Sequence, residues 1–156
     1  MKFFLFLFLI LGTLYAEPKR IYVDAVADLM HAGHVSLFQR AKSYGDTLIV
    51  GIHSDETATS YKRKPIMTMQ ERIVVVEACR YVDEVIPDAP LILTEEYLKE
   101  HKIDLVIHGD DFSSATCTEF YGVPLRLGIF QSLPYTQGIS STDLIQRVLK
   151  AYCVLE

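Results

Sequence analysis

Two histidines flank a glycine in the stretch His31-Ala32-Gly33-His34. An apolar run, Ile21–Val23, precedes them, and apolar residues with helical spacing follow, which predicts a strand, a tight turn and a helix. Free N–H groups at a helix N-terminus bind phosphate, and a glycine there lets the backbone come close. Each imidazole can donate a hydrogen bond to phosphate oxygens, which gain negative charge when pentavalent phosphorus forms. The stretch favours phosphoryl chemistry, although one capping and one packed histidine would give the same residues.

A second group of polar residues stands about a hundred positions later. A glycine and three hydroxyl residues lead into a predicted helix in the order Gly138-Ile139-Ser140-Ser141-Thr142. The hydroxyls and the first amides of that helix fit the terminal phosphates of a nucleotide. An ordinary serine-capped helix has the same pattern, so the motif indicates a phosphate site only when it is considered together with the histidines.

Alternating strands and helices must position these residues. The apolar runs predict strands at Ile21–Asp24, Thr47–Ile52, Glu84–Pro87, Leu105–His108 and Gln131–Leu133. The helical segments run from Gly33 to Tyr44, from a cap at Thr68 to about Arg80, from a cap at Thr94 to His101, and from a cap at Ser140 or Ser141 to about Tyr152. Residues 53–67 are predicted to be a basic loop, and residues 112–128 are ambiguous, with a helix near Thr118–Tyr121. This alternation predicts an α/β fold, a parallel sheet with helices on both faces.

The polar motifs all follow strands in this prediction. The two histidines follow the first strand, His53-Ser54-Asp55 the second, Gly109-Asp110-Asp111 the fourth, and the serine cap the last. Ligands bind beyond the carboxyl ends of the strands in such sheets, so these residues are expected to share one rim. That convergence predicts an active site there.

Composition sets the class of protein. A chain of 156 residues suits one domain with a sizeable core, and 50% hydrophobic residues exclude a disordered chain. A net charge of -5 argues against a nucleic-acid binder. The three cysteines, Cys79, Cys117 and Cys153, are far apart and form neither a disulfide framework nor a Cys-x-x-Cys metal site.

The N-terminus has a different composition from the rest. Lys2 precedes the apolar run Phe3–Leu11, and small residues continue to Ala16, which is typical of a secretory signal peptide. The run falls short of the ~20 residues that span a bilayer comfortably. Residues 1–19 are therefore predicted to be a signal peptide or membrane anchor, and residues 20–156 the catalytic domain. An upstream start codon outside the true domain is the other interpretation, and the compartment stays open.

Together these motifs resemble the two signatures of the cytidylyltransferase family. They are His31-Ala32-Gly33-His34, with Asp28 three positions before it, and Gly138–Thr142; Tyr61-Lys62, Arg72 and Arg80–Val85 match as well. The resemblance extends from Ile21 to Leu149 and is nearest to enzymes that join CTP to phosphoethanolamine or phosphocholine. Glycerol-3-phosphate and phosphonate cytidylyltransferases remain alternatives. The resemblance implies a Rossmann-like three-layer sandwich with a mostly parallel sheet, Mg²⁺ with the CTP, a small phosphorylated acceptor and a homodimer.

The resemblance also implies roles for single residues. His31 and His34 would donate to the α-phosphate, and Lys62 would bridge that phosphate and the attacking phosphate. The residues implied in nucleotide binding are Asp28, Gly33, Arg72, Asp110, Gly138, Ser140, Ser141 and Thr142. Asp24 and Tyr121 would bind the acceptor substrate, and no protein ligand to a metal is expected.

Two departures from the family pattern affect the predicted ligands. Relatives often carry Arg-Thr-Glu before the second signature, where this chain has Tyr135-Thr136-Gln137, so the choice between CTP and ATP stays open. Leu91 stands where phosphocholine enzymes tend to have an aromatic residue, and quaternary ammonium groups prefer aromatic cages. Tyr121 and Phe112 offer incomplete walls, which favours a primary amine such as phosphoethanolamine. A non-catalytic nucleotide-binding module, tethered or exported by the leader, is the alternative from another class.

Overall fold

A computed structural model describes residues 17–152 of the chain. Within them five strands form one sheet: β1 (Arg20–Ala25), β2 (Thr47–Ile52), β3 (Glu84–Pro87), β4 (Leu105–Gly109) and β5 (Phe130–Leu133). Their order across the sheet is β3-β2-β1-β4-β5, and every pairing is parallel. The predicted α/β fold, a Rossmann-like three-layer sandwich, is confirmed, and the described sheet is wholly parallel.

Six helices lie between and after these strands within the same part of the chain. They are α1 (Ala32–Lys42), α2 (Asp55–Tyr61), α3 (Met69–Glu77), α4 (Glu95–Glu100), α5 (Ser114–Arg126) and α6 (Ser141–Tyr152). The predicted cap of α3 is confirmed, because the Thr68 amide donates to Glu71 Oε2 at 2.8 Å and the Glu71 amide to Thr68 Oγ1 at 3.4 Å. The helix ends at Glu77, however, before the predicted limit at Arg80.

The prediction of a continuous loop over residues 53–67 is wrong, because α2 lies inside it. Ser54 caps this helix by accepting a hydrogen bond from the Thr57 amide at 3.2 Å. Hydroxyl residues such as Thr57, Thr59 and Ser60 have low helix propensity, and Ala58 is the only buried residue of α2. The segment therefore lacks the apolar periodicity on which the prediction depended.

The sheet has a separate apolar core on each face. Alternate residues of β1 point to opposite faces. Ile21 and Val23 pack with Phe38 of α1 on one face, while Tyr22 packs with Phe120 of α5 on the other. Covering both faces explains why the central strands are continuous apolar runs.

Of the predicted leader, residues 1–19, residues 1–16 lie outside the described residues. The sheet begins at Arg20, and the backbone is already held at Lys19, whose amide donates to Asp46 Oδ2 at 2.7 Å. Across residues 17–152, every helix is too short or too polar to cross a membrane.

Candidate active site

A cavity of about 400 Å³ opens at the carboxyl ends of the strands. Its volume lies in the range of pockets for small ligands. Ten of the predicted site residues line it: Asp24, Asp28, His31, Gly33, His34, Lys62, Tyr121, Ser140, Ser141 and Thr142. Arg72, Asp110 and Gly138 are not among the lining residues. Two polar groups stand out within this cavity, and their geometry differs.

The first group is the histidine cluster, defined here as His31, His34 and Ser141. His31 precedes α1 as its N-cap, and its Nδ1 accepts a hydrogen bond from the Gly33 amide at 3.1 Å. His34 Nδ1 accepts from the His31 amide at 3.3 Å. The two rings lie 4.1 Å apart between centroids. Because each Nδ1 is an acceptor, each neutral ring carries its proton on Nε2, where it can donate to a ligand.

Both histidines of this cluster favour the neutral form. Burial lowers the pKa of His34 to about 3, and the nearby His31 and Lys62 add to the shift. Burial also lowers the pKa of His31, while Asp143 acts weakly in the opposite direction. Near neutral pH the pair is therefore suited to hydrogen-bond donation rather than to carrying charge.

The structure gives a reason for a glycine at position 33 that the sequence did not show. A Cβ at this position would lie 2.9 Å from Cε1 and Nδ1 of the His31 ring and 3.6 Å from Ile139 Cγ2. The glycine makes room for the folded-back His31 ring. The structure thus explains Gly33 by the geometry of the turn, and direct approach of phosphate to its backbone stays a prediction.

The start of α6 meets the histidine cluster from the other side. Gly138 has a φ of +85°, a conformation that favours glycine, and this turns the chain into the helix. Ser140 Oγ accepts from the Asp143 amide at 3.0 Å and donates to the Asp143 carboxylate. Ser141 Oγ donates to the Asp28 carbonyl at 2.5 Å. The amides of Ser141 and Thr142, as the first residues of a helix, have no acceptor within the helix and can face phosphate.

Asp28 organises the loop that closes one side of the cavity. Its carboxylate accepts from the amides of Ile66 and Met67, at 3.1 Å and 3.0 Å, and from Arg63 Nη1 at 2.9 Å. Burial raises the pKa of Asp28, but these hydrogen bonds outweigh it and lower the pKa overall. The carboxylate of Asp28, which the resemblance implied in nucleotide binding, thus positions the loop before α3.

Backbone strain accompanies this arrangement. Ala27 and Leu29, on either side of Asp28, have φ values of 55° and 48°. Such left-handed conformations of residues other than glycine each cost on the order of 1–3 kcal/mol and persist only where the surroundings enforce them. The hydrogen bonds of Asp28 offset this cost, so the β1–α1 loop and the loop before α3 hold each other in place.

Lys62 stands between the histidine cluster and the aromatic part of the cavity. Its ammonium lies 5.5 Å from the ring centroid of Tyr61 and 5.7 Å from that of Phe112. It pairs with no carboxylate among residues 17–152. Lys64, two positions on, is exposed and lies outside the cavity lining. Lys62 is therefore a cation directed into the cavity with room for an anionic ligand.

The second group is the carboxylate cluster, defined here as Asp24, His53 and Tyr121. Asp24 is 2% exposed, and the Tyr121 hydroxyl donates to its Oδ1 at 2.7 Å. Its other oxygen, Oδ2, is buried and has no hydrogen-bond partner. His53 Nε2 lies 3.8 Å from that oxygen, beyond hydrogen-bond distance. A buried carboxylate oxygen without a donor is rare in folded proteins, and this one can accept from a donor that enters the cavity, a ligand ammonium among them.

A kink in α5 brings Tyr121 to this cluster. Pro124 lies inside the helix, so the carbonyl of Phe120 has no helical donor four residues on. The amide of Leu93 donates to that carbonyl at 3.1 Å, and Tyr121 leaves the helical conformation with φ −115° and ψ 21°. Burial and the adjacent Asp24 raise the pKa of Tyr121, so its hydroxyl stays protonated and can donate. The same proline explains why residues 112–128 were ambiguous in sequence.

Arg72 does not line the cavity, but its side chain bonds to the chain segments around it. The guanidinium is completely buried, and it donates to the carbonyls of Val26, His53 and Met67 and to the Asp55 carboxylate, at 2.5 to 3.2 Å. The resemblance implied that it contacts nucleotide. In the structure its four acceptors lie on three segments around the cavity, and its contact with nucleotide stays a prediction.

Asp110 is likewise a positioning residue in the structure. It is exposed, and its Oδ1 accepts from the Tyr135 amide at 2.7 Å. That bond joins the end of β4 to the loop that follows β5 and carries Tyr135 to the cavity wall. Asp111, its neighbour, lines the cavity.

Comparison with known proteins agrees with this geometry. The model of the cytidylyltransferase-like family matches residues 22–147, which include both clusters. The chain belongs to the cytidylyltransferase-like family. The resemblance seen in the sequence is thereby confirmed, and the matched range covers all five strands except the first two residues of β1.

Relatives within the cytidylyltransferase-like family include two kinds of enzyme. The chain is 42% identical over 134 residues to ethanolamine-phosphate cytidylyltransferase of Dictyostelium discoideum, covering 85% of this chain and 37% of that protein. It is 42% identical over 146 residues to choline-phosphate cytidylyltransferase A of Rattus norvegicus, covering 92% of this chain and 40% of that protein. The chain thus spans about two fifths of the length of these relatives.

A solved structure shares the fold. The lipopolysaccharide core biosynthesis protein of Thermoplasma volcanium superposes with a TM-score of 0.63 and 25% sequence identity, covering 79% of this chain and 100% of that one.

Sequence reasoning did not assign a role to His53, although it placed this residue at the rim. His53 is 2% exposed, lines the cavity and faces Asp24. The available signal was its position directly after β2, at the carboxyl end of a strand beside β1. Its contact with Asp24 depends on the pairing of β1 and β2, which the motifs of a cytidylyltransferase-like chain do not encode locally.

Proposed function

We propose that this domain transfers CMP from CTP to a small phosphorylated amino alcohol, phosphoethanolamine or phosphocholine, and releases pyrophosphate. One observation carries the proposal. A single cavity contains hydrogen-bond donors and a lysine suited to phosphate, and also the unpartnered oxygen of buried Asp24, suited to a cation. A phosphorylated amino alcohol carries both charges on one small molecule. The names of the relatives support the same substrate class.

The histidine cluster would act on the α-phosphate. An oxygen of the acceptor phosphate attacks the α-phosphorus in line, the bond to the β-phosphate oxygen breaks, and pyrophosphate leaves with the electron pair. The Nε2–H groups of His31 and His34 would stabilise the charge that grows on the α-phosphate oxygens. No general base is required, because the attacking phosphate oxygen is already anionic.

Lys62 would bring the two anions together. Its ammonium sits on a flexible stem, and its charge lowers the pKa of His34 in the first cluster and, among smaller causes, of His53 in the second. A cation between the clusters offsets the repulsion between acceptor phosphate and nucleotide, most strongly at the transition state. The amides at the start of α6, with Ser141 and Thr142, would hold the β- and γ-phosphates.

Magnesium would enter as part of the nucleotide substrate. Residues 17–152 hold no group of three or more His, Cys, Asp or Glu side chains placed to ligate a metal ion. Mg²⁺ keeps most of its waters and is commonly bound through substrate phosphates with one or two carboxylates. We therefore propose MgCTP as the substrate, with the ion held mainly by the triphosphate.

Turnover with a defined set of substrates tests the proposal. The full chain is incubated with Mg²⁺, with CTP or ATP, and with phosphoethanolamine, phosphocholine, glycerol-3-phosphate or 2-aminoethylphosphonate. Pyrophosphate release and product mass are measured. We expect CDP-amino alcohol from CTP, with glycerol-3-phosphate slower because it lacks the cation for Asp24. Nucleotide binding without pyrophosphate release from any pair would contradict the proposal and support a non-catalytic nucleotide-binding module.

The nucleotide base and the phosphonate alternative are decided by the same panel. Tyr135 lines the cavity where many relatives carry an arginine, and tyrosine cannot supply that bidentate charge. Faster turnover with ATP would show that the base preference has changed. Faster turnover of 2-aminoethylphosphonate than of phosphoethanolamine would favour the phosphonate-activating alternative.

Assembly and membrane attachment are further parts of the proposal. We propose a homodimer, supported by exposed apolar side chains on and before α3, namely Ile66, Val74 and Val75. We propose membrane association through residues 1–16, supported by their apolar composition. Sedimentation of the full chain tests the dimer, and flotation with phosphatidylcholine vesicles tests the attachment.

A further inference from the structure

His53 and Asp24 present two hydrogen-bond acceptors to one part of the cavity. Nε2 of His53 lies 3.8 Å from Oδ2 of Asp24, and both side chains are buried. Within residues 17–152, the buried Oδ2 of Asp24 receives no hydrogen bond, and the hydrogen bond of the His53 ring is made through Nδ1. Both residues line the cavity, so one donor on a ligand could serve Oδ2 of Asp24 and Nε2 of His53 together.

The proton of His53 is on the opposite side of its ring. Nδ1 lies 3.1 Å from the carbonyl oxygen of Ala89. A carbonyl only accepts hydrogen bonds, so Nδ1 is the donor and Nε2 of the neutral ring has a lone pair. Burial lowers the pKa of His53, which favours this neutral form. The imidazole therefore cannot satisfy Asp24 by itself.

We propose that His53 is a specificity-determining residue that selects a primary ammonium group on the acceptor substrate. The inference rests on the proposed function, because it concerns the acceptor of that reaction. A primary ammonium has three N–H donors and can bond Asp24 Oδ2 and His53 Nε2 at the same time. A trimethylammonium has none, so it would leave the lone pair of His53 buried and unpaired.

The surroundings agree with this selection. Quaternary ammonium groups are bound best inside aromatic cages. Here the cavity wall at position 91 is an aliphatic leucine, and Tyr121 turns its hydroxyl toward Asp24. Phe112 stacks on His108 at 4.4 Å between centroids, and the rings of Phe112 and Tyr61 already hold the Lys62 ammonium, at 5.7 Å and 5.5 Å. Hydrogen bonding is thus better developed at this cluster than cation–π contact.

Two substitutions separate the acceptor of His53 from its structural bond. His53→Asn keeps an N–H near the position of Nδ1 for Ala89 but has no acceptor at Nε2. His53→Gln places an amide near Nε2 and loses the bond to Ala89. The kcat/KM of the full chain is measured with phosphoethanolamine, its N-methyl and N,N-dimethyl forms, and phosphocholine. His101→Asn, a residue outside the cavity lining, is the matched control.

For the unmodified chain we expect kcat/KM to fall along the methylation series, with phosphocholine at least about tenfold below phosphoethanolamine. His53→Asn should lose about tenfold on phosphoethanolamine and change little on phosphocholine. His53→Gln should retain more of the preference for phosphoethanolamine over phosphocholine than His53→Asn does. An equal loss on both substrates would mean that His53 only supports the fold, and a preference for phosphocholine would also overturn the inference.

Calorimetric binding of the two acceptors keeps the inference separate from the proposed function. Titration of phosphoethanolamine and of phosphocholine needs no turnover. A chain that transfers CMP without preferring the primary amine refutes only the role of His53. Selective binding of phosphoethanolamine that His53→Asn abolishes supports that role even when CMP transfer fails. Binding of neither acceptor overturns it.

Discussion

The histidine cluster and the carboxylate cluster line the same cavity but satisfy their polar groups differently. In the histidine cluster each Nδ1 already accepts a backbone hydrogen bond, and each Nε2 remains as a donor. In the carboxylate cluster Asp24 Oδ2 has no donor, and His53 Nε2 adds a second acceptor 3.8 Å away. One cluster thus offers donors and the other offers acceptors.

This difference teaches how the cavity can orient a small substrate. A molecule with phosphate at one end and ammonium at the other has only one favourable orientation between donors and acceptors. Lys62 lies between them, so the phosphate of such a molecule would meet the cation before it reaches the nucleotide. The comparison makes separate predictions for each cluster: changes at the histidines should affect kcat, and changes at Asp24 should affect KM.

The largest effect is expected for His34→Ala. The substitution removes an Nε2–H donor and the acceptor for the His31 amide, so kcat should fall by more than about 10²-fold while the fold persists. Steady-state kinetics and circular dichroism measure the two properties. His101→Ala, outside the cavity, should leave kcat near that of the unmodified chain. A folded His34→Ala protein with normal kcat would remove the histidine cluster from the catalytic assignment.

Lys62→Ala is expected to reduce kcat/KM by about 10²-fold. Both lysines are exposed, but Lys62 lines the cavity with its ammonium over Tyr61 and Phe112, whereas Lys64 lies outside the lining, so Lys64→Ala should cost little. The two variants are compared at matched ionic strength. Equal losses would indicate a diffuse basic patch that attracts anions, and the position of Lys62 between the clusters would then have no special importance.

The contrast between the clusters also explains what the sequence could predict. The histidine turn is local: His31 and His34 are three residues apart, and their hydrogen bonds run within that turn. The strand and helix pattern around it was equally visible, because buried parallel strands are apolar runs. The bond between Tyr121 and Asp24 joins residues 97 positions apart and depends on the kink at Pro124. No local pattern contains that information.

Arg72 shows a second limit of sequence reasoning. An arginine in a phosphate-binding family suggests an anion ligand, yet here it is buried and bonded to carbonyls. Distinguishing the two roles requires knowing which face of α3 is covered. Helix α2 was missed for a related reason, because a short helix rich in hydroxyl residues owes its stability to tertiary contacts.

Asp24→Asn tests the carboxylate cluster. The amide keeps the shape but removes the charge, so KM for phosphoethanolamine should rise by roughly 30-fold, while KM for CTP changes little. Glu56→Gln, an equal loss of charge at an exposed position of α2, is the control. A rise in KM for CTP of the same size would mean that Asp24 stabilises the whole cavity rather than the ammonium.

Arg72→Lys should weaken the frame that holds both clusters. A lysine cannot reach the four acceptors that the guanidinium serves, so the free energy of unfolding should fall by about 2 kcal/mol. Urea unfolding measures it, with exposed Arg147→Lys as the control. Unchanged stability together with a large rise in KM for CTP would restore Arg72 as a nucleotide ligand.

The smallest effect, when expressed per pH unit, is a pH dependence of stability that originates in the histidine cluster. The pKa of His34 is about 3 in the folded chain against an ordinary value of 6.5, chiefly because of burial. Between those values the unfolded chain binds a proton that the folded chain does not, so stability is retained above pH 6.5 and falls as the pH drops toward 3. One such proton changes the free energy of unfolding by at most about 1.4 kcal/mol per pH unit. Urea midpoints at pH 7.5, 6.5, 5.5 and 4.5 should show a steeper decline for the unmodified chain than for His34→Asn. Parallel declines would mean that protonation of His34 costs the folded chain no stability. Burial would then not keep the ring neutral, and the assignment of its Nε2 as a neutral donor would fail.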